Sequence, residues 1–128
     1  MIIPERLKIG DTIGVIAPSS PIVGDNIEEL NKARDIIEKL GFKVKYSKNI
    51  FSNSNNYSAT AEEKACDINE MFSDKNVKMI WCAKGGNNSN STFEYIDYDN
   101  IKKNPKIICG FSDITSLTNI ITEKTGLV

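Results

Sequence analysis

The apolar residues of this chain change period again and again, and that alternation restricts the fold more than any single motif. Thr12-Ile13-Gly14-Val15-Ile16-Ala17 is a short apolar run closed by Pro18-Ser19-Ser20-Pro21, the pattern of a fully buried strand ending in a rigid loop. The period then becomes helical. Ile27, Leu30, Ala33, Ile37 and Leu40 fall on one face, Asp25 or Asn26 can cap the start, and Gly41 supplies the stop. Residues 42–46 alternate as a half-exposed strand, and 47–58 are polar, asparagine-rich and too irregular for either element, long enough for a lid or a partner surface. Thr60-Ala61-Glu62-Glu63 has the spacing of a capping box and opens a helix whose buried face includes Ala65, Ile68 and Phe72. A third strand over 77–82, a short helix over 97–103 before Asn104-Pro105, a fourth strand from Ile107 to Cys109 and a last helix over 114–124, stopped by Gly126, complete the pattern. Strands that alternate with helices pair in parallel through right-handed crossovers. The expected class is therefore α/β, an open and mostly parallel sheet with helices on both faces.

Composition narrows the partners. The chain has 128 residues, 40% of them apolar, enough for one core and one domain over 1–128. Sixteen basic and seventeen acidic residues give a formal charge of −1, with neither sign dominating a long stretch, so no nucleic acid and no membrane surface is expected as a partner. Cys66, Cys82 and Cys109 are odd in number and widely spaced, and two lie in apolar runs. Reduced, buried thiols in a reducing compartment are expected rather than disulfides or a metal cluster. Met1-Ile2-Ile3-Pro4-Glu5-Arg6 lacks the apolar region of a signal peptide, and no run approaches a membrane span, which predicts a soluble cytoplasmic protein. Leu127-Val128, apolar and directly after a helix stop, reads as the start of another strand, so this chain is expected to be part of a longer one.

In open α/β sheets ligands sit at the carboxyl ends of the strands. Three loops meet that condition: Pro18-Ser19-Ser20, Lys84-Gly85-Gly86-Asn87-Asn88-Ser89-Asn90, and Phe111-Ser112-Asp113. The last follows Lys106-Ile107-Ile108-Cys109-Gly110 and precedes Ile114-Thr115-Ser116-Leu117: a strand, a glycine turn, a serine at the apex, then a helix. Such an elbow projects a hydroxyl out of the sheet, and the helix start offers unpaired N–H groups to an oxyanion. Each feature also has a plainer reading. Gly85-Gly86 can be a tight turn, Ser112-Asp113 an N-cap pair, and Asn87, Asn88 and Asn90 solvated loop residues. Trp81 reads as core and Asp97 and Asp99 as helix capping rather than metal ligation, while Lys84 reads as a solvated charge sooner than the base of a Ser–Lys dyad. The chain has no histidine, so an imidazole base for Ser112 cannot come from these residues.

Taken together, Leu7-Lys8-Ile9-Gly10-Asp11 with the first strand and its Pro18-Ser19-Ser20 loop, Lys84-Gly85-Gly86-Asn87-Asn88-Ser89-Asn90, Tyr95-Ile96-Asp97-Tyr98-Asp99-Asn100-Ile101, Asn104-Pro105-Lys106 and Gly110-Phe111-Ser112-Asp113-Ile114-Thr115-Ser116-Leu117 resemble the N-terminal half of the LD-carboxypeptidase family of serine peptidases. That family includes murein tetrapeptide carboxypeptidases and microcin C immunity peptidases. The resemblance implies a flavodoxin/class I amidotransferase-like three-layer sandwich. It implies Ser112 as nucleophile and the main-chain N–H groups of Asp113 and Gly86 as oxyanion donors. Gly85, Asn87 and Asn88 would lie along the substrate, and no metal or other cofactor would be used. It further implies a triad glutamate and histidine on a C-terminal domain that this chain lacks. The sequence has Lys84 where the family usually has arginine, and Asn87-Asn88 where the murein enzymes usually have Tyr-Gly, which is closer to the microcin-immunity branch.

The expected function is thus the N-terminal part of a cytoplasmic serine carboxypeptidase that hydrolyses an amide in a small peptide or an aminoacyl-nucleotide-like substrate. The isolated chain is expected to be inactive, and the full-length protein to be a homodimer. The alternative is a non-catalytic flavodoxin-like module that holds a small anion or nucleotide through the Gly-Gly loop and the helix N-terminus.

Overall fold

The computed structural model describes residues 1–18, 22, 25–51, 60–83, 89–110 and 114–127. Strand and helix alternate along them: β1 (Thr12–Ile16), α1 (Asp25–Lys39), β2 (Lys43–Tyr46), α2 (Ala61–Ser73), β3 (Val77–Cys82), a 3-10 helix (Ser89–Tyr95), α3 (Tyr98–Lys103), β4 (Ile107–Cys109) and α4 (Ile114–Thr125). All strand pairs are parallel, in the order β2-β1-β3-β4. The chain steps from β1 outward to β2 and then crosses back over β1 to β3. Right-handed crossovers in opposite directions put α1 and α2 on opposite faces of the sheet. The three-layer α/β sandwich expected from the sequence is therefore present. No described helix is long and apolar enough to cross a membrane.

Alternation along β1 serves both faces. Val15 packs with Ala17, Ile22 and Ile50, flanked by Ile27 and Leu30 of α1 and by Val44 and Tyr46 of β2. Ile16 turns the other way, into a larger cluster with Ala65, Ile68, Met71 and Phe72 of α2, Ile80 and Cys82 of β3, and Ile114, Leu117 and Ile121 of α4. The capping box predicted at Thr60 forms: the Glu63 N–H donates to Thr60 Oγ1 and the Thr60 N–H donates to Glu63 Oε1, each at 3.2 Å. Asp97 caps α3 by accepting from the Asn100 N–H at 3.0 Å, as its spacing suggested.

The structure departs from the sequence reading at several points. α1 already includes Asp25 and Asn26, which therefore sit in its first turn rather than capping it. It buries no residue fully, and Leu40 lies past its end, 64% exposed. Residues 89–95 form a 3-10 helix, which begins inside the loop expected over 84–90. Of the three free thiols only Cys82 is buried. Cys66 points off the outer side of α2, and Cys109, although it closes an apolar run in the sequence, ends the edge strand β4.

Among the described residues three charged groups are buried, Lys106, Asp67 and Lys64. Lys106, 7% exposed, donates from Nζ to the carbonyls of Met71, at 2.6 Å, and of Asp74. It thereby caps the carboxyl end of α2, where a cation also meets the negative pole of the helix. Burial pulls its pKa down to about 8, against the attraction of Asp74. Asp67, 4% exposed, accepts from Asn49 through the side chain Nδ2 at 2.9 Å and through the backbone N–H, tying the turn after β2 to α2. Burial raises its pKa, and the hydrogen bonds from Asn49 oppose that rise. Lys64, one turn earlier on the same face of α2, is 2% exposed.

Candidate active site

The strand order makes neighbours of the three strands whose carboxyl-terminal loops drew attention in the sequence. β1 lies beside β3 and β3 beside β4, with Ile16 opposite Cys82 and Trp81 opposite Cys109. The Ala83 N–H donates to the Ile16 carbonyl at 2.8 Å, continuing the ladder one residue past β3. The chain ends of the three loops, at Pro18, Ala83 and Gly110, thus leave one rim of the sheet side by side. The order reverses between β1 and β3, the place where doubly wound sheets open a crevice for ligands.

The described part of the elbow shows why glycine precedes it. A Cβ on Gly110 would lie 2.2 Å from Ile114 Cγ2, 2.9 Å from Ile114 Cβ and 3.2 Å from Cys82 Cβ. Ile114, the first residue of α4, is 1% exposed and belongs to the main core. The strand end and the helix start are therefore pressed together without room for a methyl group, and only three residues connect them. Those three, Phe111, Ser112 and Asp113, lie outside the described residues, as do Lys84, Gly85, Gly86, Asn87 and Asn88, and Ser19 and Ser20. What is on view is the frame: three adjacent strand ends, and a 12-residue helix, α4, whose N-terminus opens on the same rim.

Little else at this rim is chemically active among the described residues. The Cys82 thiol is pushed far up by burial and is inert at neutral pH. A cavity of about 210 Å³ lies under α1, lined by Ile22, Leu30, Ala33, Trp81 and Ala83, and touches the rim at Ala83. Two larger hollows lie elsewhere: one of about 780 Å³ on the outer side of α2 by Cys66 and Tyr95, and one of about 670 Å³ at the amino ends of the strands by Lys78 and Lys106. Neither adjoins a loop that the strand topology marks as functional. The sequence reading passed over the buried Asp67, Lys64 and Lys106. A signal existed for two of them, since 64 and 67 share the helical face of Ile68 and Met71, where a charge needs a partner.

This architecture, with the sequence Gly-x-Ser-Asp between the end of β4 and the start of α4, defines an open parallel α/β domain. Residues 13–128 match the LD-carboxypeptidase N-terminal domain family, and the chain belongs to it. It is 40% identical over 125 residues to a Bacillus subtilis protein named "Probable murein peptide carboxypeptidase", covering 98% of this chain and 38% of that one. It is 36% identical over 122 residues to the microcin C7 self-immunity protein MccF of Escherichia coli, covering 95% of this chain and 36% of MccF. Its fold superposes on the crystal structure of an MccF-like protein from Bacillus anthracis with a TM-score of 0.95 at 41% identity, over 100% of this chain and 39% of that one. The chain thus spans well under half the length of these relatives.

Proposed function

We propose that this domain carries the nucleophile of a serine carboxypeptidase whose remaining catalytic groups lie on polypeptide beyond these 128 residues. Ser112 Oγ attacks the carbonyl carbon of the scissile amide and gives its proton to a base. The main-chain N–H groups of Asp113 and Gly86 receive the oxyanion, each such donor being worth roughly 3–4 kcal/mol in the transition state. The C–N bond breaks, the amine leaves with a proton returned from the base, and water then hydrolyses the acyl-serine ester. With no histidine in the chain, the base must come from elsewhere, and the family resemblance implies a glutamate and a histidine. The isolated chain then leaves Ser112 a neutral alcohol, which makes it inactive.

The observation that carries this reading is the pinning of Gly110 against Ile114. It brings strand end and helix start into contact on either side of Ser112, in a chain that belongs to this family. The substrate class we propose is an aminoacyl nucleotide or a small peptide with a free carboxylate. Support for the former comes from solved complexes of MccF with aspartyl sulfamoyl adenosine and glutamyl sulfamoyl guanosine. A further MccF structure is of an active-site mutant in which a serine, an asparagine and a lysine are each replaced by alanine, in keeping with a serine at the centre of the chemistry.

The absence of histidine favours one other reading, a module that binds a small anion and cleaves nothing. Hydrolysis of an aspartyl-nucleotide amide by the protein at the full length of its relatives separates the two. The proposal expects turnover that Ser112→Ala reduces by several orders of magnitude while ligand binding persists. Turnover unchanged in Ser112→Ala would overturn the nucleophile, and binding without turnover in the parent would replace the proposal with the binding reading.

A further inference from the structure

The hollow of about 670 Å³ at the amino ends of the strands concentrates positive charge in a nearly neutral chain. Arg6, Lys8, Lys75, Lys78 and Lys106 line it. Two lining carboxylates, Glu5 and Asp11, leave an excess of three positive charges where the whole chain carries −1. Little of that excess is cancelled nearby. Among the described residues no carboxylate lies within ion-pair distance of Arg6, Lys8, Lys75 or Lys78. Asp11 accepts from the backbone N–H of Lys8 at 2.8 Å. Lys78 and Lys106 immediately precede Met79 and Ile107, which are register partners on adjacent strands, and Lys78 and Lys45 repel the Lys106 ammonium. Asp74 attracts that ammonium, but its carboxylate is already held by Lys45. Like charges side by side on a sheet destabilise it, and a local conflict that a fold retains is where a functional site is expected. Complementing the carboxyl ends of helices explains Lys106 alone, through its bonds to the Met71 and Asp74 carbonyls. Those bonds also mask the negative pole of α2, which would otherwise repel an anion.

We propose that this hollow is a binding site for a small diphosphate-bearing anion, held by Arg6, Lys75 and Lys78 around the buried Lys106. The charge selects the ligand. A single phosphate ester carries about −1.5 to −2 charges, so two phosphates match an excess of three better than one does. Arg6, Lys75 and Lys78 are exposed, and their donors close on phosphate oxygens as charge-assisted hydrogen bonds. Lys106, 7% exposed and tied to two carbonyls, cannot swing away, so the base of the hollow keeps its charge in place. Ile3, 75% exposed, and Pro105 add an apolar wall beside the cations, against which a group attached to the phosphates can lie. The hollow lies at the opposite end of the strands from the candidate active-site rim. The inference therefore stands or falls apart from the serine chemistry.

Isothermal titration of the protein with inorganic pyrophosphate, free of divalent metal and at fixed ionic strength, tests it. One pyrophosphate should bind per chain, and Lys75→Gln combined with Lys78→Gln should weaken it about tenfold or more. Lys32→Gln combined with Lys39→Gln removes the same charge from α1 and should leave the affinity within about twofold. All four lysines are exposed, so neither double variant endangers the fold. Replacing pyrophosphate by ADP separates two sources of the same chemistry. ADP binding that is weakened by the Lys75 and Lys78 changes assigns the site to a nucleoside diphosphate, whereas exclusion of ADP assigns it to the free anion. No binding at millimolar pyrophosphate, equally tight binding of sulfate, or an equal loss in the α1 double variant would overturn the proposal. Affinity unchanged by the Lys75 and Lys78 changes would put the anion elsewhere on the protein and overturn it as well. None of these results depends on whether Ser112 hydrolyses anything.

Discussion

Replacing Gly110 by alanine adds one methyl group at the point where β4 meets α4, and the geometry fixes its cost. The new Cβ would stand 2.2 Å from Ile114 Cγ2 and 2.9 Å from Ile114 Cβ, where carbon atoms prefer about 3.5–4.0 Å. Ile114 must retreat by more than ~1 Å, yet it is 1% exposed and wedged against Leu117 and Cys82, so it cannot swing into solvent. Overpacking of this kind costs about 1–3 kcal/mol. Because Gly110 is not among the glycines at positive φ, alanine incurs no backbone strain and restricts the unfolded chain, which returns about 0.4–1 kcal/mol. The expected net loss is about 1–2 kcal/mol, or ~4–8 °C in Tm for a domain of this size. A double-mutant cycle with Ile114→Ala, read by urea denaturation, isolates the clash: Ile114→Ala alone should cost about 2–5 kcal/mol, and much less in the Gly110→Ala background. An unchanged Tm for Gly110→Ala, or strict additivity with Ile114→Ala, would refute the reasoning and with it the claim that this contact fixes the elbow.

Further outcomes follow from the buried polar groups and the cap. Lys106→Met should destabilise the domain by about 1–3 kcal/mol, because the Met71 and Asp74 carbonyls lose their donor. Since the folded pKa of Lys106 is about 8, below the unfolded 10.5, its titration adds stability that is fully present above pH 10.5 and is lost as pH falls through 8. The stability of the parent relative to the Met variant should therefore rise between pH 8 and 10.5, and a flat difference would contradict the burial argument. Asp67→Ala should strip the acceptor from Asn49 and cost about 1–3 kcal/mol, with faster amide exchange at Asn49 as the local readout. Thr60→Ala should cost about 1 kcal/mol in thermal melts by opening the capping box of α2.

How much of this was legible in the sequence depends on whether a feature is local. The strands, the capping box at Thr60, the Asp97 cap and the Gly126 stop are set by nearest neighbours and turned up where their patterns put them. The 3-10 turn at 89–95 has no period to betray it, and Ser, Asn and Thr compete for its backbone. Burial of Lys106 was invisible because its acceptors lie about thirty residues away at the end of α2. The half-buried state of Trp81 and the exposure of Cys109 depend on which strands α1 covers, a property of the strand order rather than of any window of sequence. For the candidate site, the three loops could be named from their sequence alone. That β1, β3 and β4 are adjacent, and so bring those loops to one rim, came only from the topology. The absence of histidine was legible from the start and is what moves half of the proposed chemistry off this chain.

The most direct test of the central claim is to treat the protein at the full length of its relatives, and this 128-residue chain beside it, with a fluorophosphonate probe and map the labelled residue by mass spectrometry. The account predicts a phosphonylated Ser112 in the long protein and none in the short one. Labelling at another residue, or none in either form, would contradict Ser112 as an activated nucleophile.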